Sequence, residues 1–197
     1  GSAIRITMAR YYTPSGRLIQ RPYKEGDDLT YYKELYSKDR EKTLDSLKQL
    51  RPKFKTKNGR TVYGGGGITP DIHIAYKSKL TKSTQEILRN PERPIFNFSS
   101  TYATENDLGI SNFKNFKSTW EVNQGLYSQF LDYLDNDSIK YNPDSLKHDK
   151  DFLFNRIKSE IAGTIWGKDE SASIRLDQDN QVSEALKYFN EADDFLR

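Results

Sequence analysis

The sequence GRTVYGGGGITPDIHI, residues 59–74, decides the fold of the first part of the chain, because four glycines in it precede an Ile-Thr-Pro-Asp turn. A phosphate-binding loop would need Gly-Lys-Ser/Thr at the start of a helix, so that aimed N–H groups meet the anion. Here no lysine follows Gly67, and the residues from Asp71 to Tyr76 alternate as in a strand. We therefore expect the glycines to supply positive φ angles or close backbone approach, and no phosphate site.

The segments around this run alternate in the same way. Ile4, Ile6 and Met8 share one face of a predicted strand from Ala3 to Thr13. The Thr-Pro-Ser-Gly that begins at Thr13 has the residues of a tight turn, and the RLIQR after it predicts a short strand. Asn58-Gly59 between two alternating runs predicts a hairpin.

The rest of the chain has helical spacing. Residues 27–50 predict a polar helical insertion within a first domain of residues 1–79, and residues 80–197 predict an α-helical domain. Helix starts are expected near Thr81, after Pro94, at Trp120 and at Asn142-Pro143.

Two stripes of apolar residues predict packed helix faces. The first stripe stops at Trp166-Gly167, with glycine where a helix ends. The second lies in the last helix, which we expect to hold the helical domain closed. Between them, the SIRL of residues 173–176 predicts a short strand. The stripes are Leu153, Ile157, Ile161 and Ile165, and then Val182, Leu186, Phe189 and Leu196.

Composition restricts the class of protein. Only 35% of the 197 residues are hydrophobic, but 13 Tyr and 10 Phe provide bulk for a core. The absence of cysteine excludes disulfides and thiolate metal sites, and no apolar run approaches the roughly 20 residues that span a bilayer. Residues 1–80 carry 17 Lys and Arg against 8 Asp and Glu, whereas residues 81–197 carry 14 against 20. This change of sign predicts two regions with different surroundings.

No complete catalytic or metal-binding group is recognisable in the sequence. His73 and His148 are the two histidines, and neither has a companion at the spacing of a metal site or of a nucleophile–base pair. Ser78 and Lys82 have a Ser-x-x-x-Lys spacing, but Thr81 predicts a helix start there and such short matches arise by chance. We expect no catalytic residue, no metal and no cofactor in this chain.

Two charged clusters have structural interpretations. Asp132, Asp135 and Asp137 fall at a predicted helix end and lack the Gly and Glu of a calcium-binding loop. A basic cluster could be a nucleic-acid footprint, but only Phe54 accompanies it for base stacking. We therefore expect an edge strand protected by charge, and no nucleic-acid partner. The basic residues are Lys48, Arg51, Lys53, Lys55, Lys57 and Arg60.

The chain closely resembles the carboxyl-terminal processing peptidases, also called tail-specific proteases, in residues 4–23 (IRITMARYYTPSGRLIQRPY) and 59–74. The family signature reads much like Thr-x-Ala-Arg-Tyr-Tyr-Thr-Pro-Ser-Gly-Arg, then Ile-Gln, and later Gly-Ile-x-Pro-Asp. The helical remainder, with IKSEIAGTIWG and DNQVSEALKYF, has a weaker resemblance to the C-terminal extension of some bacterial members. The signature positions are Thr7, Ala9, Arg10, Tyr11, Tyr12, Thr13, Pro14, Ser15, Gly16, Arg17, Ile19, Gln20, Gly67, Ile68, Pro70 and Asp71.

This resemblance implies an α+β chain, the strand-containing end of a crotonase/ClpP-like protease core followed by a mainly α-helical C-terminal domain. Such peptidases hydrolyse peptide bonds near substrate C-termini with a serine nucleophile, a lysine general base and a nearby glutamine, and often carry a PDZ domain. In the family these residues lie N-terminal to the first matched segment. The chain would therefore be a non-catalytic C-terminal portion, in which the Gly-Ile-x-Pro-Asp stretch is a turn into a strand.

The same interpretation sets the expected partners and location. Substrates would be proteins or peptides bound by the parent enzyme, and the main partner would be the N-terminal part of the same peptidase. The edge at Ile4–Arg10 could also pair two copies into a homodimer. The chain opens with GSAIRIT, without Met or a signal segment, so we expect a fragment, with Gly1-Ser2 either native or a cloning remnant. The parent would be periplasmic or otherwise exported, or anchored to a membrane by a segment upstream of residue 1. The alternative is a helical adaptor module without an enzymatic role.

Overall fold

The structure is a computed structural model that describes residues 2–4, 6, 8–21, 50–68, 70–76 and 78–196. These residues form two compact units, the first ending at His73 and the second running from Ile74 to Leu196. The described part is mainly helical and contains a two-stranded sheet, so the coarse α+β class is confirmed. The predicted helical insertion at 27–50 falls outside the described residues, apart from Leu50.

Two hairpins in the first unit use the same kind of loop. In the first hairpin Tyr12 bridges Leu18 across the Thr-Pro-Ser-Gly turn. The Gly16 N–H donates to the Thr13 carbonyl at 2.8 Å, the Thr13 N–H donates to the Arg17 carbonyl at 2.9 Å, and Gly16 has a φ of +81°. A turn closed by a left-handed glycine is a common three-residue hairpin loop. The turn predicted at Thr13 is therefore confirmed.

The second hairpin joins β1 (Lys53–Lys55) to β2 (Thr61–Tyr63) in antiparallel register. The Gly59 N–H donates to the Thr56 carbonyl and the Thr56 N–H to the Arg60 carbonyl, both at 2.9 Å, and Gly59 has a φ of +78°. The hairpin predicted at Asn58-Gly59 is confirmed. The lysines of β1 are exposed, as expected of a charged edge.

Other predicted strands do not form. Among the described residues of 2–11 none belongs to a ladder, the RLIQR segment contributes only the single bridge at Leu18, and Asp71–Tyr76 has no strand assignment. A strand needs a neighbour that takes its N–H and C=O groups in succession. The described residues provide only isolated bonds here, such as the Ile19 N–H that donates to the Tyr11 carbonyl at 3.5 Å. The strand predicted at 173–176 is also wrong, because these residues continue a helix that begins after Gly167.

The four glycines at 64–67 meet two different backbone requirements. A Cβ on Gly64 would lie 2.7 Å from Cε2 of Phe54, so the chain can pass beside that ring only without a side chain. Gly65 has a φ of +72°, and its N–H donates to the Leu18 carbonyl at 3.2 Å. Gly66 and Gly67 meet the same two requirements: Gly66 makes the close approach, and Gly67 has the positive φ. The expectation of close approach and positive φ is confirmed.

The second unit is helical, and its longest helix packs along two others. No helix in the described part of the chain is long and apolar enough to cross a membrane. The helices are α1 (Lys82–Arg89), α2 (Pro94–Glu105), α3 (Phe113–Thr119), α4 (Gln124–Asn136), α5 (Pro143–His148), α6 (Lys150–Ile165), α7 (Lys168–Leu176), α8 (Asn180–Ala185) and α9 (Phe189–Leu196), with a 3₁₀ turn (Leu186–Tyr188) before α9.

Asparagine side chains fix three helix starts. Asn112, Asn123 and Asn142 each accept the N–H of the third residue beyond, at 3.0, 2.9 and 2.8 Å. Each bond satisfies a donor that a helix start leaves without an internal partner. The starts predicted at Asn142-Pro143 and near Thr81 are confirmed, and α2 begins at the predicted proline itself. The start predicted at Trp120 is wrong, because Asn123 places the cap three residues later.

The core of the second unit is centred on α6, which packs against α2 and α7. The predicted apolar stripe of α6 is fully buried apart from its last member, Ile165, which is 41% exposed. Phe116 of α3 and Phe130 of α4 are also fully buried in the same cluster. A Cβ on Gly163 would lie 3.1 Å from the Ser171 Cβ, so the absence of a side chain lets α7 come close to α6.

The expectation that the last helical segment is packed is wrong. Leu186 and Phe189 are 58% and 67% exposed, and only Val182 of this stripe is half-buried. The side chain of Leu196 falls outside the described set. The residue spacing predicted the helical faces correctly. The described residues of the second unit, however, form their core without the second apolar stripe.

Replacing Gly64 by alanine should loosen the first unit. The added Cβ would clash with the Phe54 ring, at a cost of about 1–3 kcal/mol. Limited proteolysis followed by mass spectrometry should show faster cleavage within residues 50–73. In a Phe54→Ala background the ring is gone, so the same substitution should have little further effect. Equal cleavage of the wild type and the single variant would contradict the close approach.

Two phenylalanines test the assignment of the core. Phe130→Ala should lower the free energy of unfolding by about 3–5 kcal/mol, because a fully buried ring leaves a cavity. Phe189→Ala should change it by no more than about 0.5 kcal/mol, because its ring is mostly exposed. Thermal and urea denaturation of both variants measure the difference, and similar losses would mean that the last helix is packed in solution.

Candidate functional site

The two signature segments lie against each other in the first unit. The Leu18 carbonyl accepts the Gly65 N–H at 3.2 Å, and the Phe54 ring lies beside both Gly16 and Gly64. The turn of the first segment and the glycine run of the second are therefore neighbours, although residues 24–58 separate the segments in sequence.

Several signature side chains make structural contacts within the first unit. The hydroxyls of Thr13 and Ser15 are hydrogen-bonded at 2.9 Å inside the turn, and Asp71 forms an ion pair with Arg60. Nε of Arg17 is buried without a hydrogen-bond partner among the described residues. Thr7 falls outside the described residues. The exposed signature positions are Ala9, Arg10, Tyr11, Tyr12, Pro14, Gly16, Gln20, Ile68, Pro70 and Asp71.

The Ser78 and Lys82 pair considered from its spacing is not assembled. Oγ of Ser78 accepts the Leu80 N–H at 3.4 Å, whereas Nζ of Lys82 is 3.6 Å from a Glu86 carboxylate oxygen and its side chain is 91% exposed. No hydrogen bond joins the serine hydroxyl to the lysine amine. The match is therefore a coincidence of spacing.

A different serine and lysine do meet, in a way that the sequence did not indicate. Nζ of Lys117 on α3 donates to Oγ of Ser173 on α7 at 3.1 Å, to the Ser173 carbonyl at 3.0 Å, and pairs with Asp177 at 3.0 Å. A general base must have a lone pair to accept the serine proton. Here all three ammonium protons have acceptors, so the contact ties α3 to α7 and does not activate the serine.

A second lysine, Lys158 on α6, is buried, and its amine is also held by hydrogen bonds. Its Nζ donates to the Lys117 carbonyl and to the Glu121 carboxylate, both at 2.9 Å. Only 7% of the residue is exposed. Buried lysines without a counter-ion are candidate bases, but this one carries an acid partner and stabilises the turn after α3.

Asp149, between α5 and α6, carries a buried carboxylate with several hydrogen bonds. Its Oδ2 accepts the Thr81 N–H at 2.8 Å and the Thr81 hydroxyl at 2.6 Å, and its Oδ1 is 2.8 Å from Nδ1 of His148. The threonine hydroxyl therefore bonds to the aspartate and not to the histidine. This arrangement differs from a catalytic triad, in which the histidine bridges nucleophile and acid.

The hydrogen bonds of Asp149 outweigh its burial. Burial by itself raises the pKa of this carboxyl, but the hydroxyls of Thr81 and Thr84, then His148 and the Thr81 N–H, lower the pKa from 3.8 to about 2. The group is therefore a charged structural anchor that joins the start of α1 to the α5–α6 junction.

The acidic cluster at the end of α4 is tied to tyrosines. Burial and then a hydrogen bond with Asp137 raise the pKa of Tyr133, and burial and then a hydrogen bond with Asp135 raise the pKa of Tyr141. Within the described ranges no group of three His, Cys, Asp or Glu side chains could hold a metal ion. The structural interpretation of these aspartates fits their contacts.

The second unit also contains an open cleft of about 600 Å³, called here the strap cleft. It is lined by Tyr76 and residues 78–80, by residues of α1 and α6, and by the end of α7 with the turn into α8. Its cations, Lys79, Arg156 and Arg175, come from three distant parts of the sequence. No spacing rule relates such positions, so sequence analysis missed them.

Comparison with known families covers only the middle of the second unit. Residues 92–167, from just before α2 to the end of α6, match the profile of a family of unknown function (DUF8443). Neither the curated proteins nor the solved structures provided a match to the chain. The matched range includes the α6 core, but neither signature segment nor the α7–α9 region.

Asp149→Asn should remove most of the anchor and about 2 kcal/mol of stability, because hydrogen bonds to a charge are lost. The folded-state pKa lies below the ordinary value, so the carboxylate stabilises the fold above about pH 4 and this contribution is lost as the pH falls towards 2. Urea denaturation between pH 2 and 7 should show this loss in the wild type and not in the variant. Asp151→Asn, an exposed change two residues further along the chain, should keep the wild-type profile; identical profiles for all three proteins would contradict the anchor.

Proposed function

We propose that this chain is the non-catalytic C-terminal portion of a tail-specific serine endopeptidase. The observation that carries the proposal is the contact between the two signature segments through Leu18 and Gly65. The resemblance depends mainly on these two segments, and a shared fold of the signature requires them to be neighbours. Their glycine and turn residues serve the backbone, which is the role that the resemblance implies.

The chemistry belongs to the parent enzyme. The serine hydroxyl would attack the scissile carbonyl while the lysine takes its proton, the amine would leave, and water would hydrolyse the acyl-enzyme. Such a lysine must lose its proton, which requires burial away from acidic partners. Lys117 and Lys158 both have carboxylate partners, which makes neither suitable as the base. The resemblance implies that the nucleophile and base lie in polypeptide N-terminal to the signature.

The first unit would complete the protease core of that parent. Ile4, Ile6 and Met8 are 85%, 72% and 94% exposed, although their spacing is that of an apolar strand face. A strand from the N-terminal part of the peptidase would cover this face and take its backbone hydrogen bonds. It could also bring an acceptor to the buried Nε of Arg17. A second copy of the chain is the competing occupant. The parent would act in the periplasm or another exported location.

The second candidate is a helical adaptor module without an enzymatic role. The observation that favours it is the exposure of Leu186 and Phe189 on neighbouring turns, since exposed apolar residues on one helical face are typical of docking surfaces. An adaptor would bind its partner through the second unit alone, whereas the peptidase portion requires the first unit.

A serine-reactive phosphonate probe tests the proposed function. The chain alone should not be labelled and should not cleave unfolded protein, because no described serine has a free base. Co-expression with the polypeptide encoded upstream should give labelling on the upstream part and cleavage near substrate C-termini.

The outcomes separate the two candidates. Labelling of a serine within residues 1–197 would refute the non-catalytic assignment. A co-expressed pair that associates but is never labelled would favour the adaptor. Gly64→Ala should weaken association with the upstream part, and Phe189→Ala should not.

A further inference from the structure

The strap cleft has more positive than negative charge along its lining. Lys79, Arg156 and Arg175 line it, and among the described lining residues the only acid is Asp179. That carboxylate caps α8, where it accepts two backbone N–H groups at 2.8 and 3.1 Å. Two positive charges of the described lining therefore have no acidic counterpart within it.

The charges just outside the lining do not remove this surplus. Arg156 is 2.8 Å from a carboxylate oxygen of Glu160, one turn further along α6. Arg93, immediately before α2, is a further cation whose charge acts on Arg156. The negative charge of Glu160 and the positive charge of Arg93 oppose each other, so the cleft keeps its net positive charge.

Two of the three cations are free to bind a ligand. The side chains of Lys79 and Arg175 have no hydrogen-bond or ion-pair partner in the part of the chain that the structure describes, and both residues are exposed. Burial lowers the pKa of Arg156, the ion pair with Glu160 opposes this, and the charge of Arg175 lowers the pKa further. The two arginines therefore repel each other, and an anion bound to both would offset the repulsion.

The size of the surplus favours a phosphate monoester over a carboxylate. A phosphate monoester carries a charge of roughly −1.5 to −2 near pH 7, which matches two uncompensated cations. A single carboxylate would compensate only one of them. Guanidinium groups bind phosphate oxygens with two parallel hydrogen bonds, and a lysine adds a point charge.

An apolar surface lies in the same cleft. Tyr76, Leu80, Leu88 and Phe152 line it, and Tyr76 and Leu88 are 68% and 38% exposed. The volume of about 600 Å³ falls within the roughly 300–1,000 Å³ of ligand-binding clefts. An inorganic phosphate would leave this apolar surface in water, whereas an aromatic or apolar group attached to the phosphate would cover it.

We propose that the strap cleft binds a small phosphate monoester whose organic group is aromatic or apolar. The phosphate lies at Arg156 and Arg175, with Lys79 as the third cation, and the organic group lies against Tyr76 and Leu88. The site belongs wholly to the second unit. It is independent of the proposed function, since binding requires no nucleophile and no upstream polypeptide.

Isothermal titration calorimetry on the full chain tests this site with three probes. Phenyl phosphate should bind about 10-fold more tightly than inorganic phosphate, because its ring covers apolar surface that the free ion leaves in water. Phenol, which has the ring and no phosphate, should give no measurable binding at the same concentration. The comparison separates a phosphate monoester from free phosphate.

Two variants with the same change in net charge locate the phosphate. Arg175→Gln should weaken the binding of phenyl phosphate about 10-fold, because charge-assisted hydrogen bonds are lost. Lys114→Gln removes an exposed cation on α3 outside the cleft and should bind like the wild type. Tyr76→Ala should weaken phenyl phosphate and leave inorganic phosphate unchanged. All three positions are exposed, so the melting temperatures should stay close to that of the wild type.

Several results would overturn the proposal. No saturable binding of phenyl phosphate at millimolar concentration would exclude the site, and so would an Arg175→Gln variant that binds like the wild type. Equal losses in Arg175→Gln and Lys114→Gln would show a general attraction to a basic chain. Inorganic phosphate that binds as tightly as phenyl phosphate would overturn the assignment of a monoester. None of these results bears on whether a serine of the parent enzyme is labelled.

Discussion

The buried carboxylate of Asp149 is the interaction on which the helical unit depends. It joins the α5–α6 junction to Thr81, 68 residues earlier in the chain, through both the N–H and the hydroxyl. A charge that is only 5% exposed must keep its donors, because an unpaired buried charge is strongly destabilising. This requirement fixes where α1 begins and therefore where residues 78–80 end. The contact between Asp149 and Thr81 therefore also holds the wall of the strap cleft that these residues form.

Sequence reasoning succeeded where the deciding contacts are local. The Thr13 and Asn58-Gly59 turns, the Asn142-Pro143 helix start and the buried α6 stripe are each set by residues within a few positions of one another. It failed where a distant partner decides. Residues 4–10 have the pattern of a strand but no described neighbour, and residues 173–176 are too short to distinguish a strand from a helix that Gly167 opens. The exposed Phe189 shows the same limit, since spacing identifies an apolar face but not what covers it.

The contrast between local and long-range contacts also applies to the candidate sites. The signature residues were recognisable because they are contiguous, and the structure adds how they meet, through Leu18, Phe54 and the glycine run. Asp149 gave no signal, because its partner Thr81 lies 68 residues earlier and one long-range contact leaves no period in the sequence. The proposed peptidase role concerns the first unit, whereas the adaptor role would be carried by the second, so the two proposals can be separated experimentally.

The central claim is that the first unit is completed by polypeptide from the N-terminal part of a peptidase. Amide hydrogen exchange of residues 2–11, measured by mass spectrometry with and without the co-expressed upstream part, tests it most directly. Alone, these amides should exchange at nearly the rate of an unfolded chain, because the described residues give them no ladder partner. In the complex, protection should rise by about 100-fold or more, while α6 stays unchanged. Equal exchange in both samples, or full protection in the isolated monomer, would contradict the account.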